Sequence, residues 1–141
     1  MEIAERAFGP DSTADEIDAI ASRVSIIGDR ILLMHEIPVQ SSFSVNVMFD
    51  RMDELSRAWD RFTYIADLTA ARRPDPETRA TLKERVLRIS PRVSHAAIVV
   101  GNNLLMRAMA RVFAYGMGLL SVSVHATLAE AVEETRGGLG K

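Results

Sequence analysis

The run His95-Ala96-Ala97-Ile98-Val99-Val100 is apolar from end to end, with no alternation of inward and outward residues. That pattern belongs to a central strand of a parallel sheet, covered on both faces. Parallel neighbours must be joined by crossovers, usually helices, so the flanking sequence has to alternate between strand and helix periods. Upstream, Tyr64 to Leu68 reads as a strand, Thr69 to Pro74 as a loop, and Asp75-Pro76 as the start of a helix. That helix runs to about Ile89, with Leu82, Val86 and Ile89 inward, and Ser90-Pro91 stops it. Downstream, Gly101-Asn102-Asn103 turns the chain into a helix from Leu104 to Tyr115, which Gly116-x-Gly118 ends. Ser121 to His125 is another strand, and Thr127 caps a last helix from Leu128 to Thr135.

The first part of the chain completes the pattern. Arg23 to Ile27 and Arg30 to Ile37 read as two strands of a hairpin, with Gly28-Asp29 as its turn and Gly28 supplying a positive φ. Pro38 ends the second strand, and Ser41 or Ser42 caps a long helix from Phe43 to Phe62. Val45, Met48, Met52, Leu55, Trp59 and Phe62 are spaced 3, 4, 3, 4, 3, one continuous apolar stripe. Asp53 and Arg57 have the spacing of an i,i+4 ion pair. Ahead of the hairpin, Thr13-x-x-Glu16 fits a capping box for a short helix through Ser22, whose narrow stripe Ile17, Ile20 and Ala21 docks on the body. The expected order is β-β-α-β-α-β-α-β-α with one extra N-terminal helix: an α/β domain, 23–136, built on a mixed, mostly parallel five-stranded sheet with right-handed crossovers. Residues 1–22 form an extension and 137–141 a flexible tail.

Composition narrows the function classes. A chain of 141 residues holds one core. The absence of cysteine removes disulfides, thiol catalysis and cysteine-type zinc sites. A net charge of −2, without aromatic-interleaved basic patches, gives no pull toward nucleic acid. The start MEIAERAFGPDSTADE is acidic and has no apolar core, unlike a secretory signal. The most apolar window, Asn103 to Leu120, is interrupted by Arg107 and Arg111, so no membrane span is expected and the reading is a cytoplasmic protein.

Three segments resemble the STAS domain, the fold of anti-sigma factor antagonists, and its SpoIIAA-like relatives. They are the hairpin before a helix; Ile65-Ala66-Asp67-Leu68-Thr69 with Asp75 eight residues after Asp67; and Ala97-Ile98-Val99-Val100-Gly101 together with Ser121 to Ala131. The resemblance covers roughly Arg23 to Thr135. It implies a SpoIIAA-like fold and a non-enzymatic regulatory role, in bacterial-style signalling, exerted by contact with a protein partner or with itself. In the sigma-regulating members a kinase phosphorylates the first serine of Asp-Ser-Ser; here the matching segment is Asp75-Pro76-Glu77-Thr78, so Pro76 stands at the acceptor position. Glu77 places a fixed negative charge at a helix start that tolerates it. The segment is then either a switch without its acceptor, a permanently phospho-like charge, or simply a well-built helix start. Thr69 and Thr78 carry hydroxyls, but neither aligns with the acceptor.

The partner surface implied by the strand-loop-helix match comprises Asp67, Thr69, Arg72, Arg73, Asp75, Glu77 and Thr78, extended by Gly101, Asn102 and Asn103. Asp67, Thr69 and Asn102 should share one sheet edge, where the Gly101 turn offers backbone N–H groups to an anion; it lacks the Gly-Lys-Ser/Thr of a P-loop. His35, His95 and His125 should fall on opposite edges of the sheet, too far apart to ligate a metal together. No Gly-x-Ser-x-Gly elbow is present, and neither metal nor cofactor is called for. The helix from Leu104 to Tyr115 is apolar over more than one face. Either it is deeply buried, or Met106, Met109, Phe113 and Met117 make a second contact: a dimer interface, a small apolar ligand or a lipid surface. The second class of function is therefore a carrier or sensor of an apolar ligand.

Overall fold

A computed structural model describes residues 5–139; residues 1–4 and 140–141, the ends of the expected extension and tail, lie outside the described residues. The elements are α1 (Ala14–Ala21), β1 (Val24–Gly28), β2 (Ile31–His35), α2 (Ser42–Leu55), β3 (Phe62–Asp67), α3 (Pro76–Ile89), β4 (Val93–Val99), α4 (Leu104–Gly116), β5 (Val122–His125) and α5 (Leu128–Leu139), with a 3-10 turn at Ser90–Arg92 before β4. The five strands form one sheet in chain order, β1-β2-β3-β4-β5. β1 pairs antiparallel with β2, and every later pair is parallel. The α/β class and the mixed, mostly parallel sheet are as the sequence implies.

The period of two in each strand sorts side chains onto two faces. Leu32, Met34, Tyr64, Ala66, Ala96 and Ile98 point to one side and pack with Val45, Met48, Phe49 and Met52 of α2, Val86 and Ile89 of α3, and Ala114 of α4. Three successive crossovers on the same side of strands laid down in order share one hand. Ile31, Leu33, Ile65, Ala97 and Val99 point to the other side and meet Ala131, Leu128 and Val132 of α5. Both faces of β4 are thus buried, which accounts for its unalternating sequence. The capping box of α1 forms, with Thr13 and Glu16 bonding reciprocally. Ile20 of α1 and Phe8 ahead of it enter the main core, and Ser41 Oγ donates to the Phe8 carbonyl at 2.6 Å.

Three local expectations change. First, α2 ends at Leu55, not Phe62, and β3 begins at Phe62. Phe62 satisfies both periods: it continues the 3–4 stripe of α2 and also shares the β3 phase of Tyr64 and Ala66. Sheet pairing, Phe62 with Val93 and Thr63 with His95, decides in favour of the strand. The freed carbonyls at the helix end are taken by Arg92, which donates to Ser56 O, Ser56 Oγ and Trp59 O at 2.7, 3.0 and 3.2 Å and lies over the Phe62 ring. Second, Arg57 falls beyond α2, so Asp53 pairs with Arg85 of α3 instead, and Arg51 with Glu54. Third, the hairpin's left-handed residue is Arg30, with φ 56°, not Gly28. A Cβ on Gly28 would stand 3.0 Å from Ile31 Cδ1, so this glycine makes room for the first core side chain of β2, at a shift in register.

Candidate functional site

Parallel strands bring their ends to one edge of the sheet. His35, Asp67, Val99 and His125 form a row in register across β2, β3, β4 and β5. His35 Nδ1 lies 2.9 Å from Asp67 Oδ2. Asp67 Oδ1 accepts the Thr69 N–H at 3.2 Å and the Thr69 hydroxyl at 2.7 Å. Partial burial pushes the Asp67 carboxyl up, but the bonds from Thr69 and His35 outweigh it and hold the group below the usual aspartate value. Asp67 is thereby fixed as a carboxylate that ties the end of β3 to β2 and to the loop.

That loop is anchored by backbone as well. Leu68 N–H donates to Val99 O, Ala71 N–H to Leu68 O and Arg72 N–H to Pro38 O. The Arg72 guanidinium pairs with the Glu5 carboxylate, while Arg73 is exposed. Asp75 caps α3 by accepting the Thr78 N–H at 2.7 Å, a bond that holds its carboxyl below the ordinary value, and Pro76 follows inside the first turn. Glu77 is exposed in that turn. Thr78 is buried beneath the turn and reaches no surface.

Across the edge, Gly101 takes φ +85° and an added Cβ there would touch nothing, so the glycine serves the backbone conformation alone. Asn102 and Asn103 are exposed, and Asn103 caps α4 through the Met106 N–H at 3.1 Å. The edge therefore assembles Asp67, Thr69, Arg72, Arg73, Asp75, Glu77 and Gly101 to Asn103 as loops and helix starts. All its cap side chains are already used.

Behind the Gly101 turn, α4 is inverted relative to an ordinary sheet-packing helix. Ala114 is its buried residue, and Arg107 and Ala110 are half-buried on the same side. The solvent side carries Leu104, Leu105, Met106, Met109, Val112, Phe113 and Tyr115; Leu105, Met109 and Val112 are 69%, 54% and 74% exposed. The deeply buried helix is thus excluded, and three of the four residues assigned to a second contact stand on the outside. The fourth, Met117, is a core residue just past the helix end: its N–H bonds back to Phe113 O and Ala114 O, which turns the side chain under α4.

The histidines are distributed differently from expectation. His35 and His125 do stand at strand ends and His95 near the start of β4, but the side chains of His95 and His125 meet on the α5 face. Ser123 Oγ donates to Glu134 Oε1 at 2.6 Å. His95 Nε2 and His125 Nε2 lie 2.8 and 2.9 Å from Ser123 Oγ, and 2.9 and 3.2 Å from the two Glu134 oxygens. His95 Nδ1 faces Ser121 Oγ at 2.6 Å. Both imidazoles thus converge through Nε2 on the Ser123 hydroxyl and the Glu134 carboxylate, and His95 holds Ser121 through its other ring nitrogen. Burial raises the Glu134 carboxyl, yet Ser123 and the two histidines together hold it low. A catalytic serine needs an imidazole that accepts its proton and an acid on the far ring nitrogen. Here the acid binds the serine directly, so the cluster fastens α5 to β4 and β5. Among the described residues no three His, Asp or Glu side chains are placed to hold a metal ion together.

Two further groups escaped the sequence reading. Glu36, just past β2, is 2% exposed, and burial pushes its carboxyl up to about 7 against one bond from the Ile37 N–H and the charge of Arg23. Its signal was an acid in the inward phase of Ile31-to-Ile37. Arg85 lies buried between α2 and α3, bonding Asn46, Asp50 and Asp53. Its signal was an arginine inside the stripe Leu82, Val86, Ile89. An open surface depression lies along α5, lined by Leu128, Ala129, Val132, Glu133 and Arg136, away from α4. Among the described residues no helix is long and apolar enough to cross a membrane. Compared with known proteins, the chain matches no family model, no curated protein and no solved structure.

Proposed function

We propose that the chain is a STAS/SpoIIAA-like regulatory domain that works by protein contact and without phosphorylation at the segment opening α3. The observation that carries this reading is the outward apolar face of α4, which begins at the Gly101–Asn103 turn and so continues the loop edge into one surface. Such an exposed patch on an otherwise charged exterior marks an interaction site. The antiparallel first pair, the parallel remainder and the Asp67–Asp75 strand-loop-helix unit are in keeping with the SpoIIAA-like resemblance. Pro76 cannot accept phosphate, and Asp75 and Glu77 give the helix start its negative charge at all times. The carrier of an apolar ligand is the weaker reading, because such ligands are enclosed by concave pockets, whereas Met106, Met109 and Phe113 stand half-exposed on an outer helix face.

Affinity capture with the tagged full chain tests the edge directly. A protein retained by the wild type should be lost, or its capture reduced about tenfold, with Arg73→Glu combined with Asn102→Asp, two exposed positions. Retention of every captured protein by this variant, with unchanged thermal unfolding, would sink the assignment of the edge.

A further inference from the structure

We infer that the outward face of α4 is a homodimer interface in which two copies of the helix pack antiparallel about a twofold axis. This names the occupant of part of the surface in the reading above and rests on that reading, since both start from the outward apolar face of α4.

At 100° per residue, Leu105, Ala108, Met109, Val112 and Gly116 run along the centre of the solvent side of α4, flanked by Leu104 and Phe113. No charged residue lies on that arc. Arg107 is turned inward, where it donates to the Val124 carbonyl at 3.2 Å, and Arg111 stands on the flank. Whatever covers the arc must be apolar and uncharged along some three helical turns, and a second copy of the same arc meets that condition. The spacing is also self-complementary. With the axis between Ala108 and Met109, Leu105 of one copy faces Val112 of the other, and Leu104 faces Phe113, each contact occurring twice as an isologous interface requires. Ala108 beside the axis lets the helices approach closely.

The extent agrees. Leu104, Leu105, Met109, Val112 and Phe113, 42–77% exposed, make with their flanks one continuous apolar face on the order of several hundred Å², at or above the roughly 300–600 Å² patch of a typical monomer and within reach of the roughly 800 Å² per partner of a standard interface. An anionic membrane is the less suited occupant: an interfacial helix carries several cations on its polar flanks, and α4 offers a single exposed one, Arg111.

Sedimentation equilibrium on the full chain decides the matter. The wild type should show twice the 15.6 kDa chain mass and dissociate on dilution. Met109→Glu and Val112→Glu, at exposed positions that leave the core untouched, should each weaken association about a hundredfold or more. Since the chain has no cysteine, Ala108→Cys should form an intermolecular disulfide under mild oxidation, and Arg51→Cys on α2 should not. A wild type that stays monomeric at every concentration overturns the inference, as does a Met109→Glu variant that remains a dimer. A monomer that instead co-sediments with phosphatidylserine vesicles, and loses them with Met109→Glu, overturns it in favour of a membrane. Loss of the dimer leaves the capture result on the loop edge unaffected, and failure of that capture leaves the dimer standing.

Discussion

Exchanging Glu36 for Gln should stabilise the protein above neutral pH by about 3 kcal/mol and remove most of the stability that the wild type loses on approaching that range from acid. The cause is burial. Glu36 sits in the core with one backbone bond at 3.0 Å, and its carboxyl titrates near 7 rather than near 4.5. A group whose folded value is raised binds its proton more tightly when folded. Its contribution is therefore complete below the unfolded value and is lost as pH rises through the folded one. The wild type should lose stability from about pH 4.5 to about pH 7 and level off above that, while Glu36→Gln stays nearly flat across the same interval. The ionised carboxylate also faces Tyr64, whose hydroxyl, buried against Met34 Sδ at 3.4 Å, is pushed upward by burial and by that charge. Urea denaturation at both ends of the interval reads the difference. Equal pH slopes for the two proteins would show that Glu36 is hydrated or paired in a way its surroundings do not provide.

The second large effect concerns Arg85. Removing its partners with Asp50→Ala and Asp53→Ala together should cost about 2 kcal/mol, whereas Arg85→Met should cost about 1 kcal/mol or less. The asymmetry follows from where each group stands. The guanidinium is buried and lies over the Phe49 ring, while the Asp50 carboxylate is largely exposed. Stripping the acids leaves a buried cation whose Nε already has no partner. Replacing the arginine leaves two aspartates that turn to water, and methionine keeps the packing of the stem. Because the acids are exposed, their attraction is screened, and the figure for the double variant is set by desolvation of Arg85 rather than by the ion pairs. Urea denaturation of both proteins reads the order, and the double variant proving the more stable would reverse the argument.

These two residues also show what the sequence makes legible and what it does not. Helix starts were readable because Thr13, Ser41, Asp75 and Asn103 act within three residues of themselves. The sheet was readable because covered strands such as β4 lose their alternation. The end of α2 was not readable, because Phe62 fits two periods and only pairing with Val93 chooses between them. Arg85 and Glu36 stand at inward positions of an otherwise apolar stripe and strand, a signal present in the chain, but their partners lie in other elements. At the site, the shared edge of Asp67, Thr69 and Asn102 followed from parallel topology. The inward turn of Thr78 and Met117 did not, since it depends on how the first turn of α3 and the end of α4 close. The surplus of apolar residues in α4 was visible; that the surplus faces outward is a property of how Ala110 and Ala114 seat the helix on β5.

Oxidative footprinting of the methionines probes that orientation most directly. In dilute solution Met106 and Met109 should oxidise readily while Met48, Met52 and Met117 stay protected, as their burial dictates. On concentrating the protein, Met106 and Met109 should become protected as the α4 faces meet. Met106 and Met109 as slow to oxidise as Met52 at every dilution would mean that α4 buries its apolar arc within its own chain, and would contradict both the surface and the dimer built on it.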